Sequence, residues 1–175
     1  MSSGSTQRLL IIGNSGSGKS TLAKQLSAQH KLAHLDLDSI VWEPEKIALQ
    51  RAMADVRQDL DQFIEQHPAW VIEGCYAELI AAALPHCSQL LFLNPGLEAC
   101  LANNRRRPWE PHKYASAAEQ DRMLSNLQAW VESYYRREDA WSYRAHRRLF
   151  DQFDGNKQEL QQLQPIASGS INQQR

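Results

Sequence analysis

Apolar positions along the chain follow two different periods. Leu9 to Ile12, Trp70 to Ile72 and Leu90 to Leu93 are short continuous apolar runs, each closed by a glycine, an acid or an asparagine. That is the pattern of strands covered on both faces in a parallel sheet. Between the runs, apolar residues recur at helical spacing: Leu22, Ala23 and Leu26 after the first, and Ala52, Val56, Leu60 and Phe63/Ile64 before the second. The spacing predicts helices from Gly18 to about His30 and from Leu49 to His67, with a second strand inside Leu32 to Ile40. A third strand is expected over Trp70 to Tyr76, a helix over Ala77 to Leu84, and a fourth strand over Gln89 to Asn94, closed by Pro95-Gly96. Helix follows from Leu97 to the cationic stretch before Pro108, and again from about Ala117 to Arg137. Arg147 to Phe153, RRLFDQF, reads as a fifth strand, with a turn at Asp154 to Lys157 and a short last helix from Gln158 to Leu163. Strands alternating with helices predict an α/β fold of three layers: a five-stranded parallel sheet, first strand central, between helices.

Bulk composition narrows the class. A chain of 175 residues suits one domain, expected over residues 1–164, with the tail after Pro165 (IASGSINQQR) reading as disordered. The net charge of −1 shows no global basic excess, which argues against a nucleic-acid partner and leaves any attraction to anions local. Cys75, Cys87 and Cys100 are scattered, odd in number and without metal-ligand spacing, so reduced thiols are expected. The polar MSSGSTQ start has no signal-like apolar region and no window approaches ~18 consecutive apolar residues. A cytoplasmic protein, monomeric or a small homo-oligomer, with no membrane partner, is the expectation.

The stretch between the first strand and first helix carries the clearest chemistry. Gly13, Asn14, Ser15, Gly16, Ser17, Gly18, Lys19 and Ser20 match G-x-x-x-x-G-K-[ST] at every fixed position. Residues without Cβ let such a loop wrap a phosphate with its backbone N–H groups inward, and the loop opens onto a helix N-terminus that favours an anion. Lys19 then brings a positive charge to the β- and γ-phosphates of a nucleotide, and the Ser20 hydroxyl, followed by Thr21, is placed to ligate Mg²⁺.

Further along, HLDLDSI alternates Leu35 and Leu37 with Asp36 and Asp38, so on a strand both carboxylates would point the same way at its carboxyl end. They are candidates for the substrate or Mg²⁺ site, the alternative being that Asp38 caps the next helix. Trp42 and Arg51 lie in the 39–69 stretch, where Arg51 could clamp an anionic acceptor or be solvated surface. Glu73 ends the third strand beside Gly74 and Tyr76, where an acid would hold Mg²⁺ directly or through water, or else cap the following helix. Arg105-Arg106-Arg107 and Arg136-Arg137 flank a Pro-rich loop. A lid over about 105–120 that closes on a transferring phosphoryl group is one reading, and favourable charge at the end of a helix dipole is the other.

These motifs resemble the nucleoside monophosphate kinase group of P-loop proteins, adenylate kinase above all, over about residues 8 to 163: GNSGSGKST, WVIEG, LFLNPGLEACLANNRRR and FDGNK come in that order. The resemblance implies a P-loop NTPase fold, ATP and Mg²⁺ as cofactors, and Glu73 with Gly74 at the metal, with Glu where the family usually has Asp. It also implies catalytic arginines at Arg106, Arg136 and Arg137, and an adenine-holding loop at Gly155, Asn156 and Lys157. The Asp36-Leu37-Asp38 pair is similar to that of shikimate and gluconate kinases, where such acids touch acceptor and magnesium. HLDLD, WEP, Arg51 and the WVIEGCY segment look like small bacterial proteins labelled adenylate kinase-like or DNA topology modulation proteins. The segment between second and third strands lacks the TGDxxR-like pattern that binds AMP in adenylate kinase. The expectation is a Mg²⁺-ATP-dependent phosphotransferase acting on a small-molecule acceptor, a nucleotide or a hydroxylated metabolite. The alternatives are a regulatory ATP-binding protein and an NTPase without an acceptor.

Overall fold

The computed structural model describes residues 6–44, 49–111 and 113–162. Five strands, β1 (Arg8–Gly13), β2 (Ala33–Asp36), β3 (Trp70–Gly74), β4 (Gln89–Leu93) and β5 (Lys157–Leu160), form one sheet in the order β2-β3-β1-β4-β5. Every pairing is parallel, and β1 is central. The expected α/β architecture is therefore the observed one. The reason lies in β1: Leu10 and Ile12 face one side and Leu9 and Ile11 the other, all buried. Such a strand is stable only with helices on both faces.

One face is covered by α1 (Lys19–His30) through Leu22, Ala23 and Leu26. A four-residue turn of helix, α2 (Asp38–Val41), leads towards α3 (Met53–Gln66), which lies on the opposite face with α4 (Ala77–Ala83). Val56, Leu60, Leu79 and Ile80 meet Leu10, Ile12 and Ile72 there. The remaining helices are α5 (Leu97–Arg105), α6 (Ala117–Glu132) and α7 (Tyr143–Gln152). Among the described residues no helix is long and apolar enough to cross a membrane, and all three cysteines are free thiols.

The C-terminal end departs from the sequence expectation. RRLFDQF is not a strand but the second half of α7, whose start is capped by the Ser142 hydroxyl accepting from the Ala145 N–H at 3.2 Å. His146 and Leu149, three apart, are its buried positions, and Phe150 packs beside them. The fifth strand is instead KQEL, where a last helix was expected; as an edge strand it pairs with β4 alone and leaves Gln158 exposed. Helix α3 begins four residues later than the apolar repeat indicated, α4 ends in a 3-10 turn (Leu84–His86), and α6 stops at Glu132 before another (Ser133–Tyr135). The tail beyond Pro165 lies outside the described residues.

Candidate functional site at the carboxyl ends of the strands

Residues Gly13 to Ser20 leave the carboxyl end of β1 and run into α1. Gly16 and Gly18 have φ of 78° and 97°, conformations that L side chains rarely adopt. A Cβ on Gly16 would also lie 2.3 Å from the Cys100 carbonyl oxygen and 2.7 Å from Asn104 Nδ2, so the loop is pressed against α5. Asn103 Nδ2 donates to the Gly16 carbonyl at 2.8 Å, the Ser15 hydroxyl donates to Asn104 Oδ1 at 3.4 Å, and Asn14 Nδ2 donates to the Val131 carbonyl at 3.4 Å. These contacts hold the loop's shape without a ligand. Lys19 Nζ folds back to donate to the Asn14 carbonyl at 2.7 Å, while Asn14 Oδ1 and Ser17 Oγ are buried with no hydrogen-bond partner among the described residues. Thr21 is exposed in the first turn of α1.

Ser20 and Glu73, the two residues expected at a metal site, are in contact. The Ser20 hydroxyl donates to Glu73 Oε1 at 2.7 Å, and Glu73, 2% exposed, is held there because its strand neighbour Ile11 precedes the phosphate loop by two residues. His34 Nε2 lies 3.5 Å from the same oxygen. A serine hydroxyl and a carboxylate are hard oxygen donors, and Mg²⁺ characteristically takes one or two such ligands from protein and the rest from phosphates and water. Among the described residues no set of three or more His, Cys, Asp or Glu gathers to hold a metal by itself. The donor set therefore suits a nucleotide-borne Mg²⁺ and not a closed structural metal.

Asp36 and Asp38 share this end of the sheet, but not by strand alternation. Strand β2 stops at Asp36, where the Leu37 N–H donates to the Glu73 carbonyl at 2.9 Å, and Asp38 opens α2. A polar pair at the tip of a short strand turns more readily than it extends, since Asp competes for backbone donors. Asp36 Oδ1 accepts from the Asp38 N–H at 2.9 Å, so it is Asp36 that caps the turn. Glu73 stands opposite Asp36 in register. Burial, then Asp38, then Glu73 push the Asp36 carboxyl up to about 6. Burial would raise Asp38 as well, but Lys113 and hydrogen bonds from Lys113 and Tyr76 outweigh it and bring it down to about 2. Lys113 Nζ is 2.8 Å from Asp38 Oδ2, the Tyr76 hydroxyl donates to Asp38 Oδ1, and Trp42 Nε1 donates to the Tyr76 oxygen at 2.8 Å.

Several expected site residues sit elsewhere. Arg51 Nη1 donates to Asp59 Oδ2 at 2.7 Å and to the Ile40 carbonyl at 2.8 Å, so its guanidinium is bound to α3 and α2 instead of the acid pair. Gly74 is buried beneath Leu37, whose Cβ would be 2.9 Å from a Cβ there; it makes room for the turn and does not face the cleft. Gly155, Asn156 and Lys157 cannot hold a base beside the phosphate loop, because they lead into β5, of which Lys157 is the first residue, at the amino ends of the strands. The Leu90 N–H donates to the Asn156 carbonyl at 2.9 Å, and Lys157 Nζ caps α7 at the Phe150 carbonyl, 2.8 Å away. The phosphate loop is at the opposite, carboxyl ends, where Gly13 pairs with Leu93.

The arginines divide. Arg106, the C-cap of α5, and Arg136 are exposed. Arg137 turns inward, 4.1 Å over the Trp130 ring, with Nη2 donating to the Trp141 carbonyl at 3.3 Å. Its Nε and Nη1 are buried without hydrogen-bond partners among the described residues, and Asp139 Oδ2 lies 3.6 Å from Nε. Two residue types were missed by the sequence reading: the bracing pair Asn103 and Asn104, and Lys113. Asparagine before the arginine run offered a weak signal; a lone lysine in an aperiodic loop offered none.

The family model of the AAA domain (AAA_18) matches residues 9–124, two thirds of the chain. No curated protein sequence matches. Among solved structures, a gluconokinase from Sinorhizobium meliloti superposes with a TM-score of 0.50 at 18% identity, over 91% of this chain and 85% of that one. A sugar kinase from a Janibacter species gives 0.49 at 17% identity over 89% and 84%, and a shikimate kinase from Bacteroides thetaiotaomicron 0.48 at 18% over 73% and 78%. The chain belongs to the AAA domain family (AAA_18), with the three-layer P-loop fold of nucleoside monophosphate kinase-like proteins that the gluconokinase shares.

Proposed function

We propose that the protein is a Mg²⁺-ATP-dependent phosphotransferase that moves the γ-phosphoryl group of ATP to a hydroxyl of a small molecule. The observation that carries this reading is the Ser20–Glu73 contact of 2.7 Å at the mouth of the phosphate loop, with Asp36 on the adjoining strand. A nucleotide switch needs the first feature but not a second pair of acids beside it. Bound Mg²⁺, held by Ser20 and Glu73, would neutralise charge on the β- and γ-phosphates. The backbone N–H groups of residues 13–20 hold the phosphates in place, and Lys19 exchanges the Asn14 carbonyl for a phosphate oxygen. Arg137, with two buried donors unspent, supplies charge for the moving group. Asp36, raised towards neutrality, can accept the proton of the acceptor hydroxyl, while Asp38, Tyr76 and Trp42 form the wall beside it. The segment between α5 and α6 acts as the lid, and the site operates in the cytoplasm, where ATP and reduced thiols are found.

The test is ADP release with Mg²⁺-ATP across a panel of hydroxylated acceptors. Glu73→Gln should raise the Mg²⁺ concentration needed for half-maximal release at least about tenfold, because the metal loses its only charged protein ligand. An unchanged Mg²⁺ requirement would remove the assignment.

A further inference from the structure

Each carboxylate oxygen of Asp38 has a partner within the chain. Oδ1 accepts from the Tyr76 hydroxyl and Oδ2 from Lys113, whose Nζ also lies 3.5 Å from Glu110 Oε1. Lys113 comes from the turn between α5 and α6 and keeps only 23% of its side chain exposed, so its ammonium is inserted into the acceptor side of the cleft. The other cations are committed elsewhere: Lys19 lies on the phosphate loop, Arg51 is bound by Asp59 and the Ile40 carbonyl, and Arg137, stacked on Trp130, is the cation assigned above to the moving phosphoryl group. The acceptor side therefore presents Asp36 and Asp38, with Glu73 behind, and one ammonium that can exchange.

That arrangement discriminates between acceptors. A phosphate or carboxylate on the acceptor would bring like charge against Asp36 and Asp38, with no free cation among the contacts just described to receive it. A neutral hydroxyl would either share a carboxylate oxygen with Lys113, adding only an uncharged donor, or displace the ammonium and leave its charge unreplaced. An acceptor ammonium replaces the pair like for like. We propose that Lys113 is the specificity-determining residue of the acceptor side: its ammonium holds the place on Asp38 that an acceptor's ammonium takes, so the acceptor is a hydroxyl compound bearing a primary amine. This rests on the phosphotransferase reading. In the transfer, the acceptor hydroxyl oxygen forms a bond to the γ-phosphorus and the bond from that phosphorus to the β-phosphate oxygen breaks. ADP leaves, and the hydroxyl proton passes to Asp36, whose Oδ1 accepts the Asp38 N–H and whose other oxygen takes the proton.

The experiment compares glucosamine and serinol with glucose, gluconate and AMP as acceptors in Mg²⁺-ATP-driven ADP release by the full chain. The wild type should use the amine-bearing compounds with KM at least about tenfold below the others. Lys113→Met should lower KM for glucosamine about threefold to tenfold, since the internal competitor is gone, and Lys113→Arg should restore wild-type values. A lysine that merely supported the loop would give the opposite sign. Preference for AMP or gluconate, failure of both amines to stimulate release, or a raised glucosamine KM in Lys113→Met would each overturn the assignment; should the Met variant not fold, Lys113→Gln gives the same reading. Calorimetric binding of Mg²⁺-ATP, measured on the same preparations, separates the two levels: its absence defeats the phosphotransferase reading, whereas its presence with the wrong preference defeats only the role of Lys113.

Discussion

Asp36→Asn should stabilise the folded protein at alkaline pH, although it removes the residue proposed to take the acceptor's proton. The carboxyl of Asp36 is raised from its ordinary 3.8 to about 6 by burial first and then by Asp38 and Glu73. An acid whose folded value exceeds its unfolded value binds its proton more tightly when folded. Its contribution is therefore favourable below 3.8 and is lost as pH rises through 6. At full weight such a displacement corresponds to roughly 3 kcal/mol of penalty on the ionised form, and partial solvation reduces it to about 1–2 kcal/mol. Asparagine is nearly isosteric and its Oδ1 can still accept the Asp38 N–H that Asp36 accepts at 2.9 Å, so the turn into α2 survives. Denaturant unfolding without nucleotide at pH 8 should show the variant more stable by about 1–2 kcal/mol, or higher in Tm by roughly 3–6 °C. The difference should shrink as pH falls from 8 towards 4. A variant less stable than wild type at pH 8, or a gain that does not change with pH, would refute the electrostatic picture of the acid cluster.

Buried His146, 0% exposed, gives the opposite pH signature. Its Nε2–H donates to the Cys75 carbonyl at 2.7 Å and its Nδ1 accepts from the Tyr134 hydroxyl at 2.8 Å. Burial pushes its pKa down to about 3, so its stabilisation is complete above 6.5 and is lost as pH falls below that, by about 2 kcal/mol at pH 5. Nitrogen-15 shifts should report a fixed neutral tautomer from pH 8 to pH 5, and a titration centred near 6.5 would contradict it. Hydrogen exchange with a non-hydrolysable Mg²⁺-ATP analogue should slow over residues 108–120 relative to the free protein, while β1 and β3 do not change; equal protection in both states would make that segment ordinary surface.

What could be read beforehand follows burial. The phosphate loop is legible because each fixed position answers to a backbone or phosphate requirement, and β1, β3 and β4 because strands buried on both faces must be continuously apolar. Strand β5 is an edge whose residues are polar and only partly covered, so KQEL carries no strand signal. In α7 the stem of Arg147 packs among aromatics, its guanidinium 5.0 Å from the Phe92 ring, so an arginine serves as an apolar position and the helical stripe is hidden. The misplaced Gly155-Asn156-Lys157 loop follows from that exchange of strand and helix. Ser20 with Glu73 could be anticipated because each has a local rule, whereas Lys113 against Asp38 could not: that contact joins two loops remote in sequence, and only the fold brings them together.

Calorimetric titration of wild type and Lys19→Ala with ATP tests whether residues 13–20, with Glu73, form a triphosphate and magnesium site. Among the described residues Lys19 makes one hydrogen bond, to the Asn14 carbonyl, so its removal should leave the circular dichroism spectrum and Tm close to wild type. Wild type should bind ATP saturably and more weakly when Mg²⁺ is withheld, and Lys19→Ala should lose at least about tenfold in affinity. Equal affinity of the two proteins for Mg²⁺-ATP would contradict that assignment.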